Sequence, residues 1–371
     1  MFASLLQRLF ESAPVPAAQC AAGFLPRDVW ALCGVFAAVF GACVGSFLNV
    51  CIYRIPLDQS VVAPRSHCMT CGKLIPWYHN LPVVSYFALR GRCASCGARF
   101  SFRYAAVELL VAFLFLFVFC LWPPAGAAPP FGARPLLAPA PAGGAGTPLA
   151  PLALVPVYWL FLSGLVVGTF IDLDHLILPD SVTIGGMVAG PILSALLPAM
   201  QMRIGIGPEW DASGVCSIAP RLVFPTWWGS GLAWSLVGLA AGFVPLQLLR
   251  KGATWYFRRR GRIGPEDDAM GFGDIKLVGA IGAFLGWQAA AFSIAAAALY
   301  GTLVAVPLML ARKRSLLSRL PFGPYLSLGA LTWLFWGHRL AAAYLTLAAP
   351  WAVDPFRSAG TVLETTVPLP F

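Results

Sequence analysis

The chain has 371 residues, of which 59% are hydrophobic and 11% charged, and its mean hydropathy is +0.77. These values exclude an ordinary soluble globular protein and indicate a polytopic membrane protein. The formal net charge is +10, but the basic residues form no stripe with interleaved aromatic side chains. We therefore expect no nucleic-acid partner.

Eight apolar segments are long enough to cross a membrane as helices. They lie near residues 30–52, 104–122, 153–172, 181–199, 231–249, 272–287, 290–311 and 322–348. Mixed residues precede the first segment and no small-residue cleavage site follows it, so we expect a retained helix there and not a signal peptide. The pattern predicts an all-α polytopic membrane protein with about eight transmembrane helices.

The basic residues predict how these helices are oriented. Of the 25 Lys and Arg residues, 18 lie in segments 53–103, 250–271 and 312–321 or at Lys276. Because cytoplasmic loops are enriched in Lys and Arg, we expect this face to be cytoplasmic and both termini to lie outside.

The segments between the apolar stretches divide the chain into parts. In chain order we expect an outer N-terminal segment, 1–29; a first transmembrane helix, 30–52; a cytoplasmic domain, 53–103; a transmembrane core, 104–348; and an outer tail, 349–371. Two long outer loops, 123–152 and 200–230, interrupt the core. The first of these loops is rich in Pro, Gly and Ala, a composition typical of a flexible connection.

Four cysteines in the predicted cytoplasmic domain have the spacing of a metal site. They form two C-x-x-C pairs, and a glycine follows each pair. The four are Cys68, Cys71, Cys93 and Cys96. Two such pairs supply four thiolates to a tetrahedral ion, and the glycine lets the chain turn so that backbone amides face the sulfur atoms.

Zinc is the favoured metal, and disulfides are disfavoured on a reducing face. An iron–sulfur cluster and a set of unrelated buried thiols are the alternatives. Four cysteine ligands leave no open coordination position, so this zinc would be structural and the chemistry would lie elsewhere. His67 and His79 lie near the pairs and are interpreted as ordinary loop histidines.

Carboxylates at membrane level are the candidates for that chemistry, because ionisable groups there are costly unless they serve a site. Asp172 and Asp174 are two residues apart, so a helix cannot turn both toward one site. Asp172 is nearer the apolar segment and is the better candidate. Asp180, between Pro179 and Ser181, occupies a typical N-cap position. Glu108 is expected to form a hydrogen bond between helices.

Asp274 follows two glycines in the stretch "MGFGDIKLVGAIGAFLGW". Gly271 and Gly273 remove side-chain bulk where the helix begins, so that another backbone can approach the carboxylate closely. Two carboxylates from different helices can share one proton and activate a water molecule for attack on an amide. Lys276 is expected to pair with a carboxylate or with lipid phosphate.

Six segments in order resemble the type IV prepilin peptidases, intramembrane aspartic proteases of the G-x-G-D kind. These are "GSFLNVCIYRIP", the two C-x-x-C pairs, "RYAAVELL", "FIDLDHLILPD", "MGFGDIKLVGAIGAFLGW" and "PFGPYLSLGA". The resemblance implies a bacterial inner-membrane protein that cuts the basic leader of prepilins or pseudopilins after a glycine at the cytoplasmic face. Asp172 and Asp274 would be its catalytic pair.

Family members with the four-cysteine domain commonly also methylate the new N-terminus with S-adenosylmethionine. The resemblance implies this second activity here, but no glycine fingerprint places the methyl-donor site. Two other classes of function remain open from the residues alone. One is a cation-coupled transporter that uses membrane carboxylates, although the acidic residues lie near helix ends. The other is a membrane-anchored zinc scaffold without catalysis.

Overall fold

The computed structural model describes most of the chain but not all of it. The described residues are 12–14, 27–121, 150–201, 203–210, 216–225, 228–262, 264, 268, 270–310 and 321–348. The tail 349–371, most of the loop 123–152 and most of the segment 1–29 lie outside the described residues, so the interpretations given for them stay predictions.

The described part is mainly helical. Its helices are α1 (Arg27–Arg54), the short α2 (Val84–Ala88), α3 (Arg103–Cys120), α4 (Ala150–His175), α5 (Asp180–Leu196), α6 (Trp228–Arg259), α7 (Phe272–Leu285), α8 (Trp287–Leu310) and α9 (Gly323–Ala348). Within the described residues, five of these helices are long and apolar enough to cross a membrane. The five are α1, α3, α4, α6 and α8. The chain is therefore a multi-pass integral membrane protein.

Helix α7 lies at the centre of the helical bundle. All of its residues from Ile275 to Leu285 are buried, although the helix has only 14 residues. It packs closely on α6, where a methyl group built on Gly282 would lie 2.1 Å from the carbonyl oxygen of Gly238. Only a pair of glycines allows two helix backbones to come this close, and small residues are typical of such contacts in membranes.

The described residues also contain a small antiparallel sheet, which the sequence analysis did not predict. Strands β1 (Ser12–Pro14), β2 (Arg203–Trp210) and β3 (Cys216–Pro225) pair in the order β1-β3-β2. The segment 200–230, expected to be a loop, is therefore mostly a β-hairpin. Its Gly and Pro residues hid the alternation on which strand prediction depends, and β1 comes from a distant part of the sequence.

Helix α6 is longer than its apolar segment. It continues to Arg259, ten residues into the stretch 250–271 that was expected to be a basic loop. In this extension Arg259 lies over the ring of Trp255 at 4.2 Å, and Arg260, just past the helix end, lies over Tyr256 at 4.6 Å. Hydropathy cannot detect this part of a helix, because such cation–π pairs four residues apart stabilise it without an apolar sequence.

Candidate active site and metal centre

An ion pair joins the start of α3 to the end of α4. The guanidinium of Arg103 donates two hydrogen bonds to Asp174, of 2.8 Å to Oδ1 and 2.6 Å to Oδ2. The same guanidinium lies 5.1 Å from the ring centroid of Phe170. Asp174 therefore has a partner at the surface and is turned away from the bundle, as the helical spacing of the two aspartates predicts.

Asp172 lies on the opposite face of α4 and is buried. Its Oδ2 accepts a hydrogen bond of 2.9 Å from the backbone amide of Gly323, the first residue of α9. A methyl group built on Gly323 would lie 2.8 Å from this oxygen atom. The carboxylate is thus held in one orientation by a backbone that can approach only because position 323 is glycine.

Asp274 lies in the first turn of α7 and is partly buried. It is near Asp172, because Leu178 lies against both Gly273, the residue before Asp274, and Gly323, the partner of Asp172. A methyl group built on Gly271 would lie 3.0 Å from Oδ2 of Asp274. A methyl group on Gly273 would lie 2.9 Å from Cβ of Leu178, in the loop between α4 and α5. The two glycines therefore leave room for the aspartate itself and for a neighbouring loop.

Asp180, the third aspartate near this site, forms an ion pair and is not the N-cap residue that the sequence predicted. The helix N-cap is Pro179, and Asp180 is the first residue of α5, without a capping hydrogen bond from a side chain. Its carboxylate instead accepts a hydrogen bond from Nζ of Lys276, which is only 8% exposed. Of the two partners expected for Lys276, the structure thus shows the carboxylate. The N-cap prediction was wrong because Pro179 takes that position. The actual partner of Asp180, Lys276, lies 96 residues away in the sequence, where no local pattern indicates it.

The four cysteines of the predicted metal site come together. The sulfur atoms of Cys68, Cys71, Cys93 and Cys96 all lie within 4.8 Å of one another. Sγ of Cys68 and Sγ of Cys96 are 3.8 Å apart. Four sulfur atoms at zinc–thiolate distance from one ion would be about 3.8 Å apart. The cluster therefore fits one tetrahedral metal ion.

The two cysteine pairs have the same backbone structure. Gly72 donates to the carbonyl of Cys68 at 2.8 Å, and Gly97 donates to that of Cys93 at 2.9 Å. Both glycines have a left-handed backbone, with φ of 70° and 72°, which a side chain would strain. Backbone amides of Cys71 and Thr70 that point to the sulfur lower the pKa of Cys68 to about 6, so this thiol readily becomes a thiolate ligand.

Comparison with protein families gives a match for the segment with the cysteine cluster and another for the segment with the aspartates. The Bacterial Peptidase A24 N-terminal domain matches residues 39–122, which include the cysteine cluster. The Type IV leader peptidase family matches residues 159–306, which include Asp172 and Asp274. The chain belongs to the type IV leader peptidase family. Membership identifies it as an enzyme, a peptidase, and does not favour the transporter interpretation.

Curated members of the leader peptidase family extend this similarity over most of the chain. The prepilin leader peptidase/N-methyltransferase of Myxococcus xanthus is 36% identical over 291 residues, 78% of this chain and 68% of the relative. That of Aeromonas hydrophila is 30% identical over 332 residues, 83% of this chain and 92% of the relative. No solved structure matches the chain.

This member of the leader peptidase family also has a cavity of about 930 Å³ between the cysteine segment and helices α1 and α3. Asn49 and Tyr53 of α1 and Tyr104 and Glu108 of α3 line it. Oε2 of Glu108 accepts a hydrogen bond of 2.7 Å from the amide of Val83, and Ser46 of α1 also contacts this carboxylate. Glu108 therefore does link helices, as expected, and also borders the cavity.

Sequence reasoning missed two residues that shape the aspartate site in this leader peptidase. Gly323 lies in the segment "PFGPYLSLGA", which was noted without a role for its glycine. Leu178 lies in "FIDLDHLILPD" among other apolar residues, and no sequence signal distinguishes it from them. Only the fold brings both residues next to Asp172 and Asp274.

Proposed function

We propose that this protein is a prepilin leader peptidase that uses Asp172 and Asp274 to cut the basic leader of prepilins or pseudopilins after a glycine. The observation that carries the proposal is that α4 and α7 each place a carboxylate at the same end of the bundle, with Leu178 against both Gly273, next to Asp274, and Gly323, which orients Asp172. The curated relatives are named prepilin leader peptidase/N-methyltransferase, and the segment that matches the leader peptidase family contains both aspartates.

The chemistry follows from two neighbouring carboxylates that share one proton. The ionised carboxylate takes a proton from a water molecule, whose oxygen attacks the carbonyl carbon of the scissile peptide. The protonated partner donates its proton to the carbonyl oxygen. The C–N bond of the tetrahedral intermediate then breaks as the first carboxyl group gives the proton that it took from water to the leaving nitrogen, which departs as an amine. The second carboxylate takes a proton back from a hydroxyl group of the intermediate, so the pair again holds one proton. We expect Gly271 and Gly273 to give the substrate backbone access to Asp274, because side chains there would crowd the carboxylate and the Leu178 loop beside it.

The proposal includes the placement of the chain in the bacterial inner membrane. We assign eight helices as membrane spans, namely the five long apolar ones together with α5, α7 and α9, with the segment 53–103 as a cytoplasmic domain and the termini outside. Support comes from basic residues at the same end of the bundle as both aspartates, because Arg103 pairs with Asp174 at the end of α4 and Arg250 lies over the ring of Phe272 at the start of α7. We keep the other predicted parts of the chain: an outer N-terminal segment, 1–29; a transmembrane core, 104–348; and an outer tail, 349–371. Membrane lipid surrounds the spans.

We propose that the cysteine cluster binds one structural zinc ion. The sulfur distances and the two left-handed glycines fit zinc held by four thiolates. Metal analysis of the purified protein tests this assignment against an iron–sulfur cluster, which would give iron and a visible absorption band.

We propose N-methylation of the new N-terminus as the second activity, with S-adenosylmethionine in the cavity beside Glu108. The cavity volume is within the range of small-molecule sites. The buried carboxylate of Glu108 and the rings of Tyr53 and Tyr104 suit a ligand with a positively charged sulfonium group. When bound, the ligand would supply the methyl group, while Asn49 and Glu108 would hold it.

Mass spectrometry of a prepilin-type substrate incubated with the purified protein tests both activities. A shortened product supports the peptidase, and a further methyl group that appears only with S-adenosylmethionine supports the methyltransferase. Calorimetric titration of S-adenosylmethionine into the wild type and into Glu108→Gln tests the cavity without the need for turnover. An uncut substrate would leave the zinc scaffold as the better interpretation.

A further inference from the structure

The loop between α4 and α5 has one side chain that turns inward. Its four residues run from Leu176, which has a left-handed backbone with φ of 55°, to Pro179. Leu176 and Ile177 are about half exposed, at 48% and 49%. Leu178 is instead partly buried and packs against the hydrophobic core.

Leu178 lies among three glycines from three helices. Methyl groups built on them would lie 3.4 Å from Cδ2 of Leu178 at Gly168, 2.9 Å from its Cβ at Gly273, and 3.3 Å from its Cδ2 at Gly323. The position beside Gly323 is also 2.8 Å from Oδ2 of Asp172. Asp172 and the end of the Leu178 side chain therefore both lie against the same position, and together they leave no room for a methyl group there.

We propose that Leu178 determines the requirement for glycine at the residue before the scissile bond. This inference depends on the proposed peptidase function. The scissile carbonyl must lie against the two carboxylates, and the Cβ of the residue that carries this carbonyl lies about 2.5 Å from the carbonyl carbon. The space next to Asp172 is already filled by Leu178 and Gly323, so a residue with a Cβ would collide there, whereas glycine fits.

The test compares substrates that have glycine or alanine at this position. A single methyl group changes kcat/KM about 10- to 200-fold when a pocket discriminates by size. We expect Leu178→Ala to raise the ratio of kcat/KM for the alanine substrate to that for the glycine substrate at least about tenfold over wild type. Ile177→Ala is the matched control, because it shortens an exposed side chain in the same loop, and it should leave the ratio unchanged.

Leu178→Val covers the case in which Leu178→Ala does not fold. Valine keeps the Cβ next to Gly273 and removes the Cδ2 atom that borders Gly168 and Gly323, although it adds a second γ carbon on Cβ. The inference is overturned if a Leu178 variant still cleaves the glycine substrate but has the same ratio of kcat/KM for the alanine and glycine substrates as wild type. It is also overturned if Ile177→Ala changes this ratio as much as the Leu178 variants do. If neither Leu178 variant cleaves the glycine substrate, Leu178 is structural and the inference is also overturned. Failure of the wild type to cut the glycine substrate would instead contradict the peptidase proposal.

Discussion

The amide of Gly323 donates a hydrogen bond to Oδ2 of Asp172, although 151 residues separate them in the sequence. This contact ties the first residue of α9 to the last turn of α4. It also gives the carboxylate of Asp172 a fixed hydrogen-bond donor in the backbone. Asp274 also lies next to a glycine, Gly271, whose missing side chain leaves room for the carboxylate. The proposed site is therefore built from three helix ends that meet at one end of the bundle.

Substitution of Gly323 by alanine tests this contact. The new methyl group would lie 2.8 Å from Oδ2 of Asp172, so either the carboxylate or the start of α9 must move. We expect cleavage of a prepilin substrate to fall at least about tenfold, since misplaced catalytic groups are costly. Gly185→Ala is the matched control, because no atom lies within 4 Å of a methyl group there. Equal activity of the two variants would show that the contact is unimportant.

The ion pair of Asp174 with Arg103 should contribute to stability only weakly and not to catalysis. Both side chains are more than a third exposed, and exposed ion pairs contribute about 0.2–1 kcal/mol. Asp174→Asn should therefore lower the thermal unfolding midpoint only slightly and leave cleavage within about threefold of wild type. Complete loss of cleavage in a folded Asp174→Asn protein would mean that Asp174 belongs to the catalytic pair.

The pair of Lys276 with Asp180 should respond differently to loss of each partner. Asp180→Asn leaves the buried ammonium of Lys276 without its carboxylate, whereas Lys276→Met removes the buried charge and keeps a chain of similar length. Loss of one partner costs about 3–5 kcal/mol for a fully buried pair, and we expect less here because Asp180 is 64% exposed. Thermal unfolding should rank Asp180→Asn as the less stable variant. The reverse order would contradict this interpretation.

The metal site should be separable from the peptidase site. Cys68→Ser with Cys93→Ser removes two of the four thiolates, and we expect bound zinc to fall from one per chain to nearly none. Limited proteolysis should then cut the segment 58–100, while cleavage of a prepilin substrate persists at least in part because Asp172 and Asp274 lie on other elements. Cys43→Ser, an exposed cysteine of α1 outside the cluster, is the control. Unchanged zinc content in the double variant would contradict the four-thiolate site.

The sequence allowed the main candidates to be named because each has a local pattern. The two-residue spacing of Asp172 and Asp174 on a helix predicted that only one of them faces the bundle, and the structure pairs Asp174 with Arg103. The C-x-x-C pairs with their glycines predicted the sulfur cluster. Hydropathy located the long helices, and its largest error in a helix boundary is the end of α6, which lies ten residues beyond the predicted one.

The remaining features depend on contacts between distant residues. Asp180 is a good N-cap residue in isolation, but Lys276 lies within reach only after α5 and α7 have packed. Leu178 and Gly323 have no distinctive local pattern, and their importance comes from the space that they share with Asp172. The strand pairing of residues 12–14 with β3 joins segments about two hundred residues apart, beyond the range of any periodicity rule.

The most direct test of the central claim is mass spectrometry of a prepilin-type substrate after incubation with purified wild type, Asp172→Asn, Asp274→Asn and the control Asp174→Asn. Asparagine preserves the shape of each side chain and removes its ability to exchange a proton. The two-carboxylate account predicts a product cut after glycine with wild type and Asp174→Asn, and no product with the other two proteins. Cleavage at the wild-type rate by folded Asp172→Asn or Asp274→Asn would contradict it.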